Sequence, residues 1–313
     1  VLAALSIDLD ALEHYHLVHG LPPPPPGPDP VHGAALDRFG ELCARLGLHA
    51  TAFAVGDRLA EPGAAAAVAR LAAAGHEIAN HGFAHDYAIA RRPPAAILAD
   101  VRRGADAVER AAGRRPAGFR APGYTLSAPL VRALCDAGVR YDSSAFPSLP
   151  YWVAKAAVMG AMALGGRPSG AILDRPRASW APRVPYHPSA SEPYARGALP
   201  LLELPIATGF LGFPLVGTFI ATFPPGLVRA LSAGARALPL LVVELHAIDL
   251  LDVADLPEGS RALVARQRDL RVPAAVKAAR LAAFVRAQDR EWVTLEGAAE
   301  RLSLVSSGAE AFP

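Results

Sequence analysis

Apolar and polar positions along this chain follow two rhythms that take turns. Leu2–Asp8 is a short apolar run ending in Asp8-Leu9-Asp10, the pattern of a buried strand. A polar stretch with Glu13, His14, His16 and His19 follows. Then comes Pro22–Pro30, nearly continuous proline, which predicts a stiff surface loop of polyproline II character that would stand as a wall beside a site. A helical rhythm runs from Val31 to Leu46, with Leu36, Phe39, Leu42, Cys43 and Leu46 at helical spacing, and Gly47 stops it. Ala50–Val55 reads as a second strand, Ala64–Ala74 as a helix, His76–Ala79 as a strand and Pro94–Ala112 as a helix. Gly118–Arg120 is a short strand, Ser127–Ala137 a helix and Val139–Asp142 a further strand. Strand, helix and glycine recur at intervals of roughly 25 residues, the signature of βα units around a parallel sheet.

Beyond Asp142 the pattern is harder to read. Val153–Leu164 is apolar and helix-like, and a loop rich in Pro, Arg and aromatic residues continues to about Pro200. We read 150–200 as an insertion that caps the sheet, so 1–313 is a single domain with a Pro-rich loop at 20–30. Tyr151, Trp152, Val153, Val158, Met159, Met162 and Leu164 fit a helix packed into the core or against a second copy. They would suit a lipid-linked substrate only if they line a groove. Leu201–Ile206 is a strand with Glu203 inside it, Pro225–Ala237 a helix, and Leu240–Leu245 an apolar strand ending at His246. Pro273–Gln288 is a long helix, Trp292–Thr294 a short strand and Glu296–Leu302 a closing helix.

Asp8, His81, Arg120 and Asp142 all fall just after predicted strands. In a (β/α) barrel that rim is where chemistry is placed, and the pattern itself gives the α/β class with a parallel sheet. Strand alternation puts Asp8 and Asp10 on one side, although an isolated Asp pair at a strand end is more often a turn or cap. If Asn80 opens a helical turn, His81 and His85 share a face and make half of a divalent-metal site. Taken alone, two such histidines are common on wet helix surfaces. A lone Arg120 would be a surface ion-pair residue, and a lone His246 a satisfied core histidine. Asp142 reads as a structural residue that hydrogen-bonds a turn, or else buttresses His246 or a sugar hydroxyl. His14, His16 and His19 read as loop residues, and Asp249 and Asp252 as solvated or capping.

Composition narrows the class. The 313 residues are 52% hydrophobic and 19% charged, enough to bury a large core. A net charge of +2 with no basic stripe argues against nucleic acid. Cys43 and Cys135 lie in apolar helical patterns without metal or redox spacing, so they read as core residues in a reducing compartment. The opening Val-Leu-Ala-Ala-Leu-Ser-Ile lacks a basic leader, and no apolar run is long enough to span a bilayer, so a cytoplasmic protein is expected. An oligomer is open.

Five blocks carry a resemblance: Ser6-Ile7-Asp8-Leu9-Asp10, Asn80-His81-x-x-x-His85, Phe119-Arg120-Ala121-Pro122-Gly123-Tyr124, Tyr141-Asp142-Ser143-Ser144 and Glu244-Leu245-His246. In that order the chain, from Leu5 to about Leu302, resembles the polysaccharide deacetylases of carbohydrate esterase family 4, which share the NodB homology domain. The resemblance implies a distorted (β/α) barrel, one divalent metal, usually zinc, and hydrolytic removal of an N-acyl group. The commonest first motif of that family has adjacent aspartates. Here Leu9 separates them, as in an atypical branch with allantoinase-like and peptidoglycan-deacetylase-like members, and the tryptophan of later motifs is not evident near Asp142.

The resemblance further implies that Asp10, His81 and His85 hold the metal, most simply Zn2+, while Asp8 is the general base. Arg120 would hold Asp8 ionised through a bidentate contact, and His246 would protonate the departing amine. Tyr124, Pro122 and Ser143 would stand against the substrate, a backbone N–H near Tyr124 or Ser143 completing an oxyanion site. The expected substrate is an N-acetylated amino sugar or glycan, lipid-linked in one version. Alternatives are an amidohydrolase of the same branch acting on a small non-sugar amide or ureide, and a catalytically silent glycan-binding barrel.

Overall fold

The computed structural model describes residues 1–308, with side chains described through 304. Among these residues eight parallel strands form one curled sheet. They are β1 (Leu2–Asp8), β2 (Thr51–Ala54), β3 (Glu77–Asn80), β4 (Gly118–Phe119), β5 (Tyr141–Asp142), β6 (Leu202–Glu203), β7 (Leu240–His246) and β8 (Glu291–Trp292). The order across the sheet is β6-β5-β4-β3-β2-β1-β7, with β8 paired to the first residues of β1. Between the edge strands β6 and β7 the curl is tied by the Ala207 N–H donating to the Val242 carbonyl at 2.9 Å. A single bridge, Val216 to Glu244, adds to that tie. The architecture is the expected α/β distorted barrel.

Both faces of the central strands are buried, so their sequences read as continuous apolar runs, and alternation decides which residue enters the curl. Ala3, Leu5 and Ile7 of β1 pack outward with the helices, and Ala4 packs inward with Phe53, Ala79 and Val242. Inward parity continues through Ser6 to Asp8. Register sets Ser6 level with Thr51 and Glu244, and Asp8 level with Phe53 and His246. The polar residues of alternate positions therefore gather at the carboxyl edge.

The helices are α1 (Leu12–Val18), α2 (Leu36–Leu46, entered through a π turn at Val31–Ala35), α3 (Pro62–Ala73), α4 (Pro94–Ala112), α5 (Ala128–Asp136) and α6 (Leu149–Leu164). They continue with α7 (Gly217–Thr222), α8 (Pro225–Ser232), α9 (Arg261–Arg266), α10 (Ala274–Arg286) and α11 (Leu295–Gly308). Leu295 and Ala298 of α11 join the inner cluster. None is long and apolar enough to cross a membrane among the described residues.

Four expectations change. The polar stretch after Asp10 is the helix α1, not a loop; it buries Leu12, His14, Tyr15 and His16. Asp29, at the end of the proline run, holds it: one carboxylate oxygen accepts the Leu12 N–H and the other the Val31 N–H, both at 2.9 Å. The segment after Asn80 is a loop, not a helical turn, and His85 sits in the left-handed region at φ 48. The apolar helix of the 150–200 region, α6, buries none of its residues in the core. The predicted helix 225–237 stops at Ser232 and continues as a short 3-10 turn.

Asp142 and Glu203 are register partners on β5 and β6, both fully buried. Ser144 donates to one Asp142 oxygen and the Ala145 N–H to one Glu203 oxygen, leaving the remaining oxygen of each buried without a hydrogen bond. Burial, and then the Asp142 charge, push Glu203 well above the usual carboxylate range. A carboxyl whose folded pKa is raised makes the native state bind more protons than the unfolded chain, so its contribution to stability falls as pH rises above the ordinary glutamate value. Glu203→Gln carries a permanent donor instead. The thermal midpoint of this variant, relative to the unsubstituted protein, is expected to climb as pH rises from about 4 to about 8. A difference that stays flat with pH would show that Glu203 is ionised in the fold.

Candidate active site

Local structure delivers each polar side chain to the carboxyl edge. Asp8 ends β1, and Asp10 follows from the turn, both buried. At the end of β3 the Asn80 side chain donates to the Val101 carbonyl at 2.9 Å and accepts the Gly82 N–H at 3.0 Å. Asp100 of α4 accepts the N–H groups of Phe83 and Ala84 at 2.9 and 3.3 Å. These bonds satisfy the backbone that a helix would have paired, and they hold the loop that carries both histidines.

Asp10 Oδ1 lies 3.2 Å from His81 Nε2 and 2.9 Å from His85 Nε2. His81 Nδ1 is 2.8 Å from the Arg120 carbonyl, an acceptor only, so Nδ1 carries hydrogen and Nε2 turns to Asp10. The His85 ring is sandwiched, with His14 stacked at 4.0 Å and Tyr87 edge-on at 4.8 Å. Burial pulls the His14 pKa down to about 3, so it packs as a neutral ring. Asp10 Oδ1 and both ring nitrogens of His85 are buried and make no hydrogen bond of good geometry. Buried lone pairs in that state are costly unless a cation takes them, and one carboxylate with two imidazoles is a donor set suited to zinc and its neighbours. The residues fit a metal. Although burial pushes Asp10 up, the charges of His85 and His81 outweigh it and hold the carboxyl well below its usual range. Burial alone would lower His81, but Asp8 and Asp10 raise it, so a proton competes with a cation for the same nitrogen.

Arg120 is fully buried beside this group. Its Nε donates to the Ser143 carbonyl at 2.8 Å and one terminal nitrogen to Ser143 Oγ at 3.0 Å. The other terminal nitrogen donates to Ser6 Oγ at 3.1 Å and Asp8 Oδ1 at 2.6 Å, and the guanidinium lies over the Phe53 ring at 4.1 Å. The contact to Asp8 therefore uses one nitrogen, not the expected fork, because Ser143 occupies the other edge. Asp8 Oδ2 is buried and left without a hydrogen bond, and Asp8 is one of the residues lining the cavity. Burial raises the Asp8 pKa more than Arg120 lowers it.

Across the cavity His246 ends β7. Its Nδ1 is 2.9 Å from Glu244 Oε1, and its Nε2 is 3.2 Å from the Tyr124 hydroxyl and 3.9 Å from Asp10 Oδ2. Burial works against the charged ring, but the Glu244 carboxylate prevails and holds His246 well above the usual histidine range. Asp249 is buried, not solvated, and caps the turn by accepting the His246 N–H at 2.9 Å and the Thr218 hydroxyl at 2.6 Å. Asp8, Glu244 and His246 are themselves close enough to form a second candidate ligand group.

A cavity of about 310 Å³ opens over these groups. Asp8, Asp10, His81, Tyr124 and His246 line it, together with Tyr15 and His19 of the α1 region and one side of α6. The proline run is not part of this wall; α1 takes that place. Nor do Ser143 and Pro122 line it: Ser143 is buried beneath Arg120, and Pro122 opens the turn that presents Tyr124. Near the expected oxyanion site, the Tyr124 N–H donates to the Ala121 carbonyl and the Ser143 N–H to the Phe119 carbonyl, each at 3.0 Å. Asp142 pairs with Glu203 and does not reach His246. Among the described residues His16 and His19 join no candidate metal group; they bond the Pro22 carbonyl and Gln267. Glu244 was visible two positions before His246 on a strand, which is the signal for a shared face. The packing of His14 and Tyr87 on His85 had no such signal.

Residues 29–141 match the family model described as polysaccharide deacetylase, a segment that holds His81, His85 and Arg120 but not Asp8, Asp10 or His246. No curated protein sequence matches the chain. Among solved structures it is similar to a Mycobacterium smegmatis protein assigned as a polysaccharide deacetylase, at 19% identity and TM-score 0.61, over 100% of this chain and 93% of that one. A family 4 acetyl xylan esterase from Clostridium thermocellum, solved with a cobalt ion, aligns at 16% identity and TM-score 0.46, covering 96% of this chain and 91% of that one. A carbohydrate esterase family 4 pseudoenzyme from Bacillus anthracis aligns at 10% identity and TM-score 0.49, covering 95% and 65%. The matching segment lies inside a fold that this chain shares with the Mycobacterium smegmatis structure along its whole length.

Proposed function

We propose that the protein is a metal-dependent hydrolase that removes an N-acetyl group from an amino sugar or glycan-linked substrate. One observation carries this reading: ligand atoms of Asp10, His81 and His85 converge within 4.8 Å, and Asp10 and His81 line a cavity together with Asp8 and His246. Asp10, His81 and His85 would hold the cation, zinc being well suited, and its Lewis acidity would serve the acyl oxygen and the attacking water. Asp8 Oδ2 takes the water proton as general base; Arg120 fixes its orientation, and burial makes it a stronger base than an exposed aspartate. His246, kept protonated by Glu244, gives its Nε2 proton to the departing nitrogen, because an amide anion is too basic to leave. Water oxygen joins the acyl carbon, the C–N bond breaks, and acetate and amine are released. The spacing Asp8-Leu9-Asp10 separates base from ligand, the last strand residue serving as one and the following turn as the other. We read 1–313 as one domain, with α6 and the rest of 150–200 as its cap.

The purified protein is expected to carry about one equivalent of a divalent metal by elemental analysis. It should release acetate from N-acetylglucosamine oligomers until a chelator removes the metal. Asp10→Ala and His81→Ala should lose the metal; Asp8→Asn should keep it and lose at least about 10²-fold in kcat. Metal without acetate release would move the substrate to a small non-sugar amide, and no metal under replete conditions would leave a glycan-binding barrel.

Glu244→Gln removes the charge that keeps His246 protonated. In metal-free protein its imidazole pKa, followed by NMR, is expected to fall toward the ordinary histidine value. Activity should then disappear at a lower pH on the alkaline side, since the acid must carry its proton. An unchanged His246 titration would take Glu244 out of this part.

A further inference from the structure

α6 is apolar along its length, and Lys155 is the one charged residue in Leu149–Leu164. Tyr151, Val158, Met159 and Met162 line the cavity beside it, and Lys155 is the one Lys or Arg among the lining residues. Its Nζ donates to the Gly123 carbonyl at 3.3 Å and lies 5.9 Å from the Tyr151 ring centre. Among the described residues no carboxylate stands within ion-pair reach of it. The two acids of the lining are committed elsewhere, Asp8 to Arg120 and Asp10 to the imidazoles. Asp174, whose charge reaches it, accepts from the Tyr194 hydroxyl and the Arg175 N–H. A lysine half-buried among apolar and aromatic side chains with one backbone carbonyl and no carboxylate to answer its charge stands out, since burial of a cation is normally paired. Its place is close to the chemistry: a Cβ on Gly123 would stand 3.8 Å from Nζ and 3.0 Å from Tyr87, the ring that packs on His85.

We propose that Lys155 is a specificity-determining residue that receives an anionic oxygen group, a phosphate ester or a carboxylate, carried by the substrate near the amide to be cleaved. The inference rests on the deacetylase reading for what is cleaved, but the anion site stands on its own geometry. Apolar neighbours make the pairing stronger than it would be in water, and a neutral substrate leaves the ammonium unpaired. Burial draws the Lys155 pKa down to about 8, so it is still mostly charged at neutral pH. The mixed wall matches a substrate with an acidic group rather than an uncharged glycan chain.

Binding to the metal-free full chain tests this without turnover. Isothermal titration would compare N-acetylglucosamine 1-phosphate, N-acetylmuramic acid and the neutral methyl N-acetylglucosaminide, in the unsubstituted protein, Lys155→Gln and Lys155→Arg. Circular dichroism would verify that each variant is folded. At least one acid is expected to bind about tenfold or more tightly than the neutral sugar. That preference should be lost in Lys155→Gln and kept in Lys155→Arg, and the acid preferred tells phosphate from carboxylate. Neither acid binding better than the neutral sugar, or a preference that survives Lys155→Gln, would overturn the proposal. Anion binding through Lys155 without acetate release would strike the deacetylase reading alone. Acetate release with no anion preference would strike this one alone.

Discussion

The buried ion pair between Arg120 and Asp8 is the constraint on which the rest of this edge depends. Removing two charges from water costs several kcal/mol per ion, and attraction alone does not reliably offset that. Here the guanidinium is satisfied on every side, by Asp8, Ser6 and Ser143, with the Phe53 ring beneath it. These contacts draw β1, β2, β4 and the segment after β5 to one point. The same residue's backbone carbonyl takes His81 Nδ1, so one position orients both the carboxylate at the cavity wall and an imidazole of the candidate metal group.

Around that pair the edge sorts its protons. The neighbouring imidazoles hold Asp10 well below the carboxylate range, Glu244 holds His246 well above the histidine range, and burial beside Asp142 pushes Glu203 well above its own. The sorting follows from alternation and register rather than from loops. Ser6 and Asp8 on β1 stand level with Glu244 and His246 on β7, so a carboxylate beside an imidazole is built into the strand pairing. A layer below, Glu77 accepts from Thr51 and Tyr141, which closes the polar interior toward the inner apolar cluster. Polar groups inside a curled sheet are tolerable only when they are matched in this way.

Much of the site was legible because it sits at strand ends. Apolar runs marked β1, β3 and β7, and the polar residue after each run was the useful one: Asp8 and Asp10, His81, His246. Other parts depended on contacts that no local pattern encodes. α1 is short and rich in histidine, and it folds because Asp29 caps it and Tyr15 is buried. His81 and His85 meet through a loop braced by Asn80 and Asp100, where helical spacing had suggested a turn. Ser143 belongs under Arg120 because a buried guanidinium needs acceptors, a demand visible only in three dimensions. α6 is apolar on all sides, and such a helix gives no sign of which face meets the core.

The strands differ greatly in length, and this divides the barrel mechanically. β1 and β7 share seven registered residues, but β4, β5 and β6 contribute two apiece. Cooperative opening begins where backbone pairing is sparse and ends where it is dense. Asp8 and His246 end the two most extensively paired strands, whereas Gly123 and Tyr124 follow a strand of two residues. The cavity spans both, with one wall carried by backbone pairing and the other by turns and side-chain packing.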